Sequence, residues 1–369
     1  MDYTAMEQYW IWLSSVEGIG PKRFYMLLSL YEDARGVWDA LGGVLTPPDM
    51  KALGPAALEK LRAARDERYF YSLFGRLEGG GIRAVTRLSD AYPPALTGIY
   101  DPPPTLYVRG DCPLGDDRAF AIVGSRRCTG DGQRAAREFA KALAENGVTV
   151  VSGMARGIDS CAHRGALEGK GRTVAVLGCG VDVAYPPEND RLMAEIIDGG
   201  GAIVSELVPG TPPAPGNFPA RNRIISGLSA GTLLVEGAKQ SGAMITAGLA
   251  LEQGRDVFAV PGGIYSPLSA APNQLIVDGA IPALTPWDIL EYYRWGHRPD
   301  AGARPVAAPV ELTADEEALV VPLREQALTF DELTSATGFS AAKLNSHLTM
   351  LELRGIIEKA PGGLYRAYA

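Results

Sequence analysis

The sequence predicts an α/β protein built on a doubly wound parallel sheet, with a small helical domain before it and a helix-and-hairpin domain after it. Three observations carry this. Between residues 119 and 261, short runs rich in Val and Ile, each bounded by Gly or Pro, alternate with helical stretches. That is the texture of strands buried on both faces and joined by crossover helices. The first 81 residues are rich in helix formers at apolar spacing, and the chain ends on two amphipathic helices and a hairpin.

Taken in order, residues 1–81 place Trp12 and Val16, then Phe24, Leu27 and Leu28, then Leu58 and Leu61, then Phe70, Leu73 and Phe74 at helical intervals. Between two of these helices lies Val16-Glu17-Gly18-Ile19-Gly20-Pro21-Lys22, a tight turn with glycines at alternate positions. From residue 82 to 111 the chain turns to short extended pieces and prolines, an arm laid against the strand-rich region beyond it. The predicted strands are 119–124, 148–153, 173–178, 202–206, 231–236 and 256–261. The first crossover helix shows Ala136, Phe139, Ala140 and Leu143 at i, i+3, i+4 and i+7, with Gly147 as its stop signal. The sheet domain is expected over 82–295 and a flexible linker rich in Pro, Ala and Gly over 296–312. Over 313–369, Thr329 and Glu332 have capping-box spacing, Leu344, Leu348 and Leu351 line one helix face, and Gly355 ends that helix. A hairpin then turns through Pro361-Gly362-Gly363, the element order of a winged helix.

A chain of 369 residues, 46% hydrophobic and 21% charged, has ordinary globular composition and suggests two or three domains. No apolar run approaches the roughly 18 residues that a membrane span needs, and the start lacks an export signal, so a cytoplasmic protein is expected. Cys112, Cys128, Cys161 and Cys179 form no CxxC pair, which favours reduced thiols over disulfides and predicts no metal. The net charge of −8 opposes a broad nucleic-acid-binding face, so any such contact must rest on locally placed arginines.

Ligands of an open parallel sheet bind beyond the carboxyl ends of its strands, where backbone amides and helix N-termini gather positive potential. At these ends lie Gly124-Ser125-Arg126-Arg127 with Thr129, then Gly153-Met154-Ala155-Arg156-Gly157, then Gly178-Cys179-Gly180. Glycine admits an anion close to the backbone, serine adds a hydroxyl, and arginine adds a bidentate fork for phosphate oxygens. Singly, such glycines are as often needed only for the turn; together they favour a phosphate-binding rim. The sharpest local signal is Phe218 followed by Arg221, Asn222 and Arg223 at a helix start: an aromatic to stack on a base beside two guanidinium groups. The bland alternative has Arg221 or Arg223 paired with Glu206 or Glu236 inside the fold.

Enzyme signatures are weak. Gly178-Cys179-Gly180 lacks the third glycine of a dinucleotide fingerprint, and the P-loop pattern is missing. Gly227-Leu228-Ser229-Ala230-Gly231 spells a hydrolase motif but follows a helix and precedes a strand, the reverse of a nucleophile elbow. Asp159 and His163, one helical turn apart, read as a mutually satisfied structural pair rather than an acid and base. Glu236 is open to three readings: a catalytic carboxylate, an anchor for an arginine, or a cap for a backbone turn. The rival function is a hydrolase releasing a base from a nucleoside monophosphate, for which Glu236 and Pro261-Gly262-Gly263 are superficial matches.

Across Tyr92 to about Ala280, the strings IVGSRRCTGDG, VVSGMARGIDSCAH, TVAVLGCGVDVAYPPEN, NFPARNRIISGLS, LLVEGAKQSGAMITAGLALEQGRDVFAVPG and NQLIVDGA together resemble the bacterial DNA-processing protein A family (DprA, also called Smf). The resemblance implies an extended Rossmann-like fold, a preceding domain like a sterile-alpha-motif or helix-hairpin-helix module, and a winged helix after it. It further implies a non-enzymatic protein without cofactor that binds single-stranded DNA, dimerises through the Rossmann domain and loads the recombinase RecA during natural transformation. Its phosphate pocket would fall on Gly124, Ser125 and Arg126, on Gly153 to Gly157, and on Phe218 with Arg221 to Arg223. Some relatives carry a lysine just ahead of the phenylalanine, where this chain has Asn217. Part of a dimer surface would fall on Leu275, Ile276, Ala280 and Ile281, for which a buried helix is the equally plain reading. Gly18-Ile19-Gly20 with Lys22 resembles a phosphate-holding hairpin turn, with protein contact the alternative. The second winged-helix helix, with Ala341, Ala342, Lys343, Asn345 and Ser346, is poor in charge for a groove reader, favouring an accessory role.

Overall fold

The computed structural model describes residues 3–43, 52–297, 312–353, 356–360 and 364–367. They fall into two compact units, Met1–Arg298 and Pro299–Ala369. The first is built on a nine-stranded sheet: β1 (Ile82–Thr86), β2 (Thr105–Gly110), β3 (Ala119–Val123), β4 (Thr149–Ser152), β5 (Thr173–Val176), β6 (Ala202–Ser205), β7 (Gly231–Leu234), β8 (Asp256–Ala259) and β9 (Ile281–Pro282). Their order is β1-β2-β6-β5-β4-β3-β7-β8-β9. From β6 to β9 all neighbours are parallel; β2 pairs antiparallel with β6 on one side and with β1 on the other. The arm expected over 82–111 is thus part of the sheet, extending it past β6.

The apolar strand runs follow from burial on both faces. In β3 the pleat sends Ala119, Ala121 and Val123 into one core and Phe120 and Ile122 into the other. The helix Gly130–Glu145 covers the second face, capped by Thr129 and burying Ala136, Phe139, Ala140 and Leu143. It lies so close to Ile158–Glu168 that a Cβ on Gly165 would overlap the Arg137 carbonyl, which explains the glycine there.

The N-terminal helices Ala5–Ser15, Pro21–Tyr31, Ala34–Ala40, Pro55–Ala64 and Glu67–Gly79 have their own core around Trp12, Phe24, Leu27 and Leu61. They are not independent of the sheet. Ile11, Leu73 and Leu77 point the other way, into one cluster with Tyr107, Ala175, Leu177 and Ile203. Residues 1–81 therefore share a core with the sheet.

In the second unit, helices Ala314–Glu325, Phe330–Thr337 and Ala341–Leu353 pack on β10 (Leu328–Thr329), β11 (Ile357–Ala360) and β12 (Leu364–Ala367), in strand order β10-β12-β11. The expected capping box at Thr329 and Glu332 forms, and Leu344, Leu348 and Leu351 are buried with Leu319, Val320 and Leu323. The sequence pattern misses the helix Ala314–Glu325, whose signal is cut by Pro322 in its last turn. Most of the expected linker (298–311), the Gly355 stop and the 361–363 turn lie outside the described residues.

Because Ile11 is fully buried between the helices and the sheet, Ile11→Ala should destabilise by about 2–5 kcal/mol. Urea denaturation followed by tryptophan fluorescence, which reports on the first unit because all five tryptophans lie between residues 10 and 295, should show the helices and the sheet lose stability in one shared transition.

Candidate nucleic-acid interface

Three strand ends build the site. After β3, the Ser125 amide donates to the Glu236 carbonyl (2.7 Å), and the Ser125 hydroxyl accepts from the Arg127 amide (3.1 Å). This tight turn leaves Arg126 and Arg127 exposed. After β4, Met154 takes a left-handed φ of 58° and buries its side chain, while Ala155 caps the next helix start by accepting from the Ser160 amide and hydroxyl. The two turns are stitched together: the Ile158 amide donates to the Ser125 carbonyl (3.2 Å). A Cβ on Gly157, at φ 77°, would lie 2.9 Å from the Arg126 carbonyl oxygen, so the close approach requires glycine.

The third contributor is the helix Asn217–Gly227. Phe218 lies against the turn after β5, where a Cβ on Gly178 would be 2.8 Å from the ring, and Asn217 Nδ2 donates to the Gly178 carbonyl (3.2 Å). On the other side, the Arg126 guanidinium lies 5.7 Å from the centre of the Phe218 ring, within cation-π range. Tyr185 packs beside Phe218 at 5.3 Å between centroids, tilted by 35°.

Arg221 forms the floor. It is buried, and Nη1 donates to the carbonyls of Gly153 (2.8 Å) and Val176, bridging the ends of β4 and β5. Burial lowers its pKa to about 10, with Asp159 opposing that shift and Arg126 adding to it. Burial raises the Asp159 carboxyl, and Arg221 and the amides of Ala155 and Gly153 pull it back. The two groups flank Gly153, where a Cβ would be 2.8 Å from an atom of each.

Arg126, Gly153, Ala155, Arg156, Tyr185, Pro186, Phe218 and Arg221 enclose a cavity of about 30 Å³. It has the scale of a single phosphate-sized group and is far below the roughly 300 Å³ of a cofactor pocket. Its upper wall is cationic and aromatic. Arg156 reaches the rim but pairs with Glu188.

The predicted residues thus divide. Gly124, Ser125, Arg126, Gly153, Ala155, Arg156, Gly157, Phe218 and Arg221 are brought together. Arg127 is exposed beyond the rim, Thr129 is engaged by the Glu236 carboxylate, and Met154 lies underneath. Asn222 is buried, with Nδ2 at 3.4 Å from the Gly242 carbonyl. Arg223 points away: it forms a bidentate, largely buried pair with Glu206 (2.7 and 2.6 Å) and donates to the Asp101 carbonyl. The bland alternative holds for Arg223. Sequence reading missed Tyr185, Pro186 and Glu188, although an aromatic followed by two prolines at the close of a glycine-rich post-strand turn was a usable signal.

Elsewhere, His163 does not pair with Asp159. Its Nδ1 lies 2.7 Å from the Thr173 hydroxyl, and burial lowers its pKa to about 3. Ser229 is buried and bonded to the Ile225 carbonyl, and burial pushes the Cys112 and Cys179 thiols up to about 11. Gly262 is clamped through both its amide and its carbonyl by Asn273. Among the described residues no cluster could hold a metal ion, and no helix is long and apolar enough to cross a membrane. Leu275 is buried, whereas Ile276, Ala280 and Ile281 are half-buried against the cores. In the hairpin-like turn, Gly18 takes φ 88° and its carbonyl accepts from Arg23 (2.7 Å), while Lys22 turns to Asp101 (3.7 Å).

A sequence model of the DNA recombination-mediator protein A family matches residues 83–294, and one of the DprA winged-helix domain matches 303–363. The chain belongs to the DNA recombination-mediator protein A family. Among DprA relatives, Protein Smf of Escherichia coli (strain K12) is 41% identical over 287 residues, covering 75% of each chain. DNA processing protein DprA of Streptococcus pneumoniae is 42% identical over 208 residues, covering 56% of this chain and 73% of that protein. The crystal structure of the S. pneumoniae DprA superposes with a TM-score of 0.65 at 34% identity, over 79% of this chain and 98% of that one. DNA processing protein A of Helicobacter pylori, described for its single-stranded DNA binding mode, gives a TM-score of 0.53 at 29% identity, over 59% of this chain and 97% of that one. The DprA family fold, a large mainly parallel sheet followed by a winged helix, is the fold found here.

Two measurements check these assignments. Arg223→Ala strips the largely buried Glu206 of its partner and should cost about 3–5 kcal/mol in urea denaturation, whereas exposed Arg126→Ala should stay within about 0.5 kcal/mol. His163 is held neutral in the fold but protonates near its ordinary 6.5 when unfolded, so its contribution is complete above pH 6.5 and is lost as the pH falls toward 3. Between pH 7 and 5 the protein should lose about 2 kcal/mol, a loss that His163→Gln should flatten.

Proposed function

We propose that this protein binds single-stranded DNA by its backbone at the cavity between Arg126 and Arg221. The observation that carries the reading is the convergence of an exposed guanidinium, a buried cationic floor and a Tyr185–Phe218 aromatic pair around a space of one phosphate's scale. A strand phosphate would sit on Arg126 with the Gly153–Gly157 turn beneath it, and a neighbouring base would stack on the exposed aromatic surface. The small cavity suits a strand passing across a rim better than an enclosed nucleotide. Membership of a recombination-mediator family and the single-strand binding described for the H. pylori relative support the same reading.

In this reading the protein is a non-enzymatic mediator that covers incoming DNA in the cytoplasm and hands it to the recombinase RecA. It works as a homodimer through the sheet domain. Local placement reconciles this with the acidic total, since a net charge of −8 discourages broad contact and leaves the Arg126 rim as the point of attraction.

Fluorescence anisotropy with a labelled oligothymidine at two salt concentrations tests the proposal. Affinity should fall as salt rises through counterion release. Arg126→Ala should weaken binding by about 1–3 kcal/mol, and Phe218→Ala by a similar amount, about 1–3 kcal/mol. Wild-type affinity in both variants at both salts would overturn the site.

A further inference from the structure

In the parallel part of the sheet the strand order reverses at β3, whose neighbours β4 and β7 lead away to opposite sides. The crevice beyond β3 and β7 is where an open α/β sheet ordinarily takes a ligand phosphate, because the next helix aims its N-terminal amides there. Here the crevice is filled from within. Glu236, just past β7, accepts from the Thr129 amide through Oε2 (2.9 Å) and from the Thr129 hydroxyl through Oε1 (2.5 Å). Its carbonyl accepts from the Ser125 amide (2.7 Å). The Thr129 hydroxyl accepts in turn from the Gly132 amide (3.0 Å), capping the helix Gly130–Glu145.

Two glycines make room for this arrangement. A Cβ on Gly132 would overlap the Glu236 carboxylate, and one on Gly124 would lie 2.9 Å from the Glu236 carbonyl oxygen. One residue thus grips the Gly124–Thr129 turn at both ends, and Arg126 lies between the two grips. We propose that Glu236 is an internal anion that takes the place of a ligand phosphate at the switch point and holds the turn that presents Arg126. The first half stands on geometry alone; the second rests on the single-strand reading. The carboxylate also accounts for the position of the Arg126 cavity, which lies beside the switch point, over the ends of β4 and β5.

The test uses the full chain, calorimetry with inorganic pyrophosphate, and anisotropy with labelled oligothymidine. The pyrophosphate arm is run in an Arg126→Ala background, which removes the proposed rim contact, and the oligothymidine arm uses the Glu236 variants alone. In the Arg126→Ala background the chain with Glu236 intact should show no saturable pyrophosphate binding. Glu236→Ala should gain it there, as the vacated helix N-terminus takes the anion. Alone, the same substitution should lower oligothymidine affinity by roughly tenfold, with the salt slope reduced by about one phosphate contact. Glu236→Gln can accept from the Thr129 amide and donate to its hydroxyl, so it should keep strand affinity within about twofold and still exclude pyrophosphate. A purely structural role would give no such rescue and no gained anion site. If Glu236→Ala fails to fold, Glu236→Ser carries the same two expectations.

The proposal is overturned if the folded variant ignores pyrophosphate or keeps wild-type strand affinity and salt slope. A wild type that does not bind oligothymidine sinks the single-strand reading instead, and the pyrophosphate arm still decides whether Glu236 fills the crevice.

Discussion

A buried guanidinium joins two parallel strands at the edge where the site forms. Arg221 reaches from the helix Asn217–Gly227 to the carbonyls of Gly153 and Val176, at the ends of β4 and β5. Burying a charge is costly unless it is paired and fully hydrogen-bonded. The cost is offset here by the two strand-end carbonyls that accept from Nη1 and by the field of Asp159 across Gly153. Around that contact everything else takes its place: Gly153 stays free of a side chain, Phe218 is set one helical turn before the arginine, and the cavity acquires a cationic floor.

The arginines of the site divide the work by exposure. Arg223, two residues beyond Arg221, leaves on another face of the helix and closes on Glu206, tying this helix to the end of β6. Arg156 is tethered to Glu188 at the rim. Arg126 faces the ring of Phe218, a soft partner that a phosphate can displace because a guanidinium–phosphate pair is charge-assisted. Structural arginines thus make the shelf, and in the proposed reading Arg126, exposed over an aromatic face, supplies the grip.

The winged-helix unit shows a similar neutralisation. Lys343, in the first turn of the helix Ala341–Leu353, forms an ion pair with Asp315 (2.8 Å) and lies over Phe339. A basic side chain held this way has less field to offer a nucleic acid, in keeping with the helix's low charge.

The sequence by itself determined the alternation of strand and helix, because strands buried on both faces read as near-continuous apolar runs and the turns that bound them are marked by Gly or Pro. All six predicted parallel strands from 119 to 261 correspond to strands of the sheet, and the fold gathers much of the clustered Gly, Ser and Arg at their ends around one cavity. Family motifs in order made the relationship legible as well. Tertiary structure decided which arginine does what. Arg221 and Arg223 look alike in the sequence, yet two residues is about 200° around a helix, so one meets strand carbonyls and the other meets Glu206. It also decided the fates of Glu236, whose partner Thr129 is 107 residues away, of His163, which turned to Thr173 rather than Asp159, and of Tyr185, which joined Phe218. Such pairings depend on which strand ends the fold sets side by side, and local spacing along one chain does not encode that.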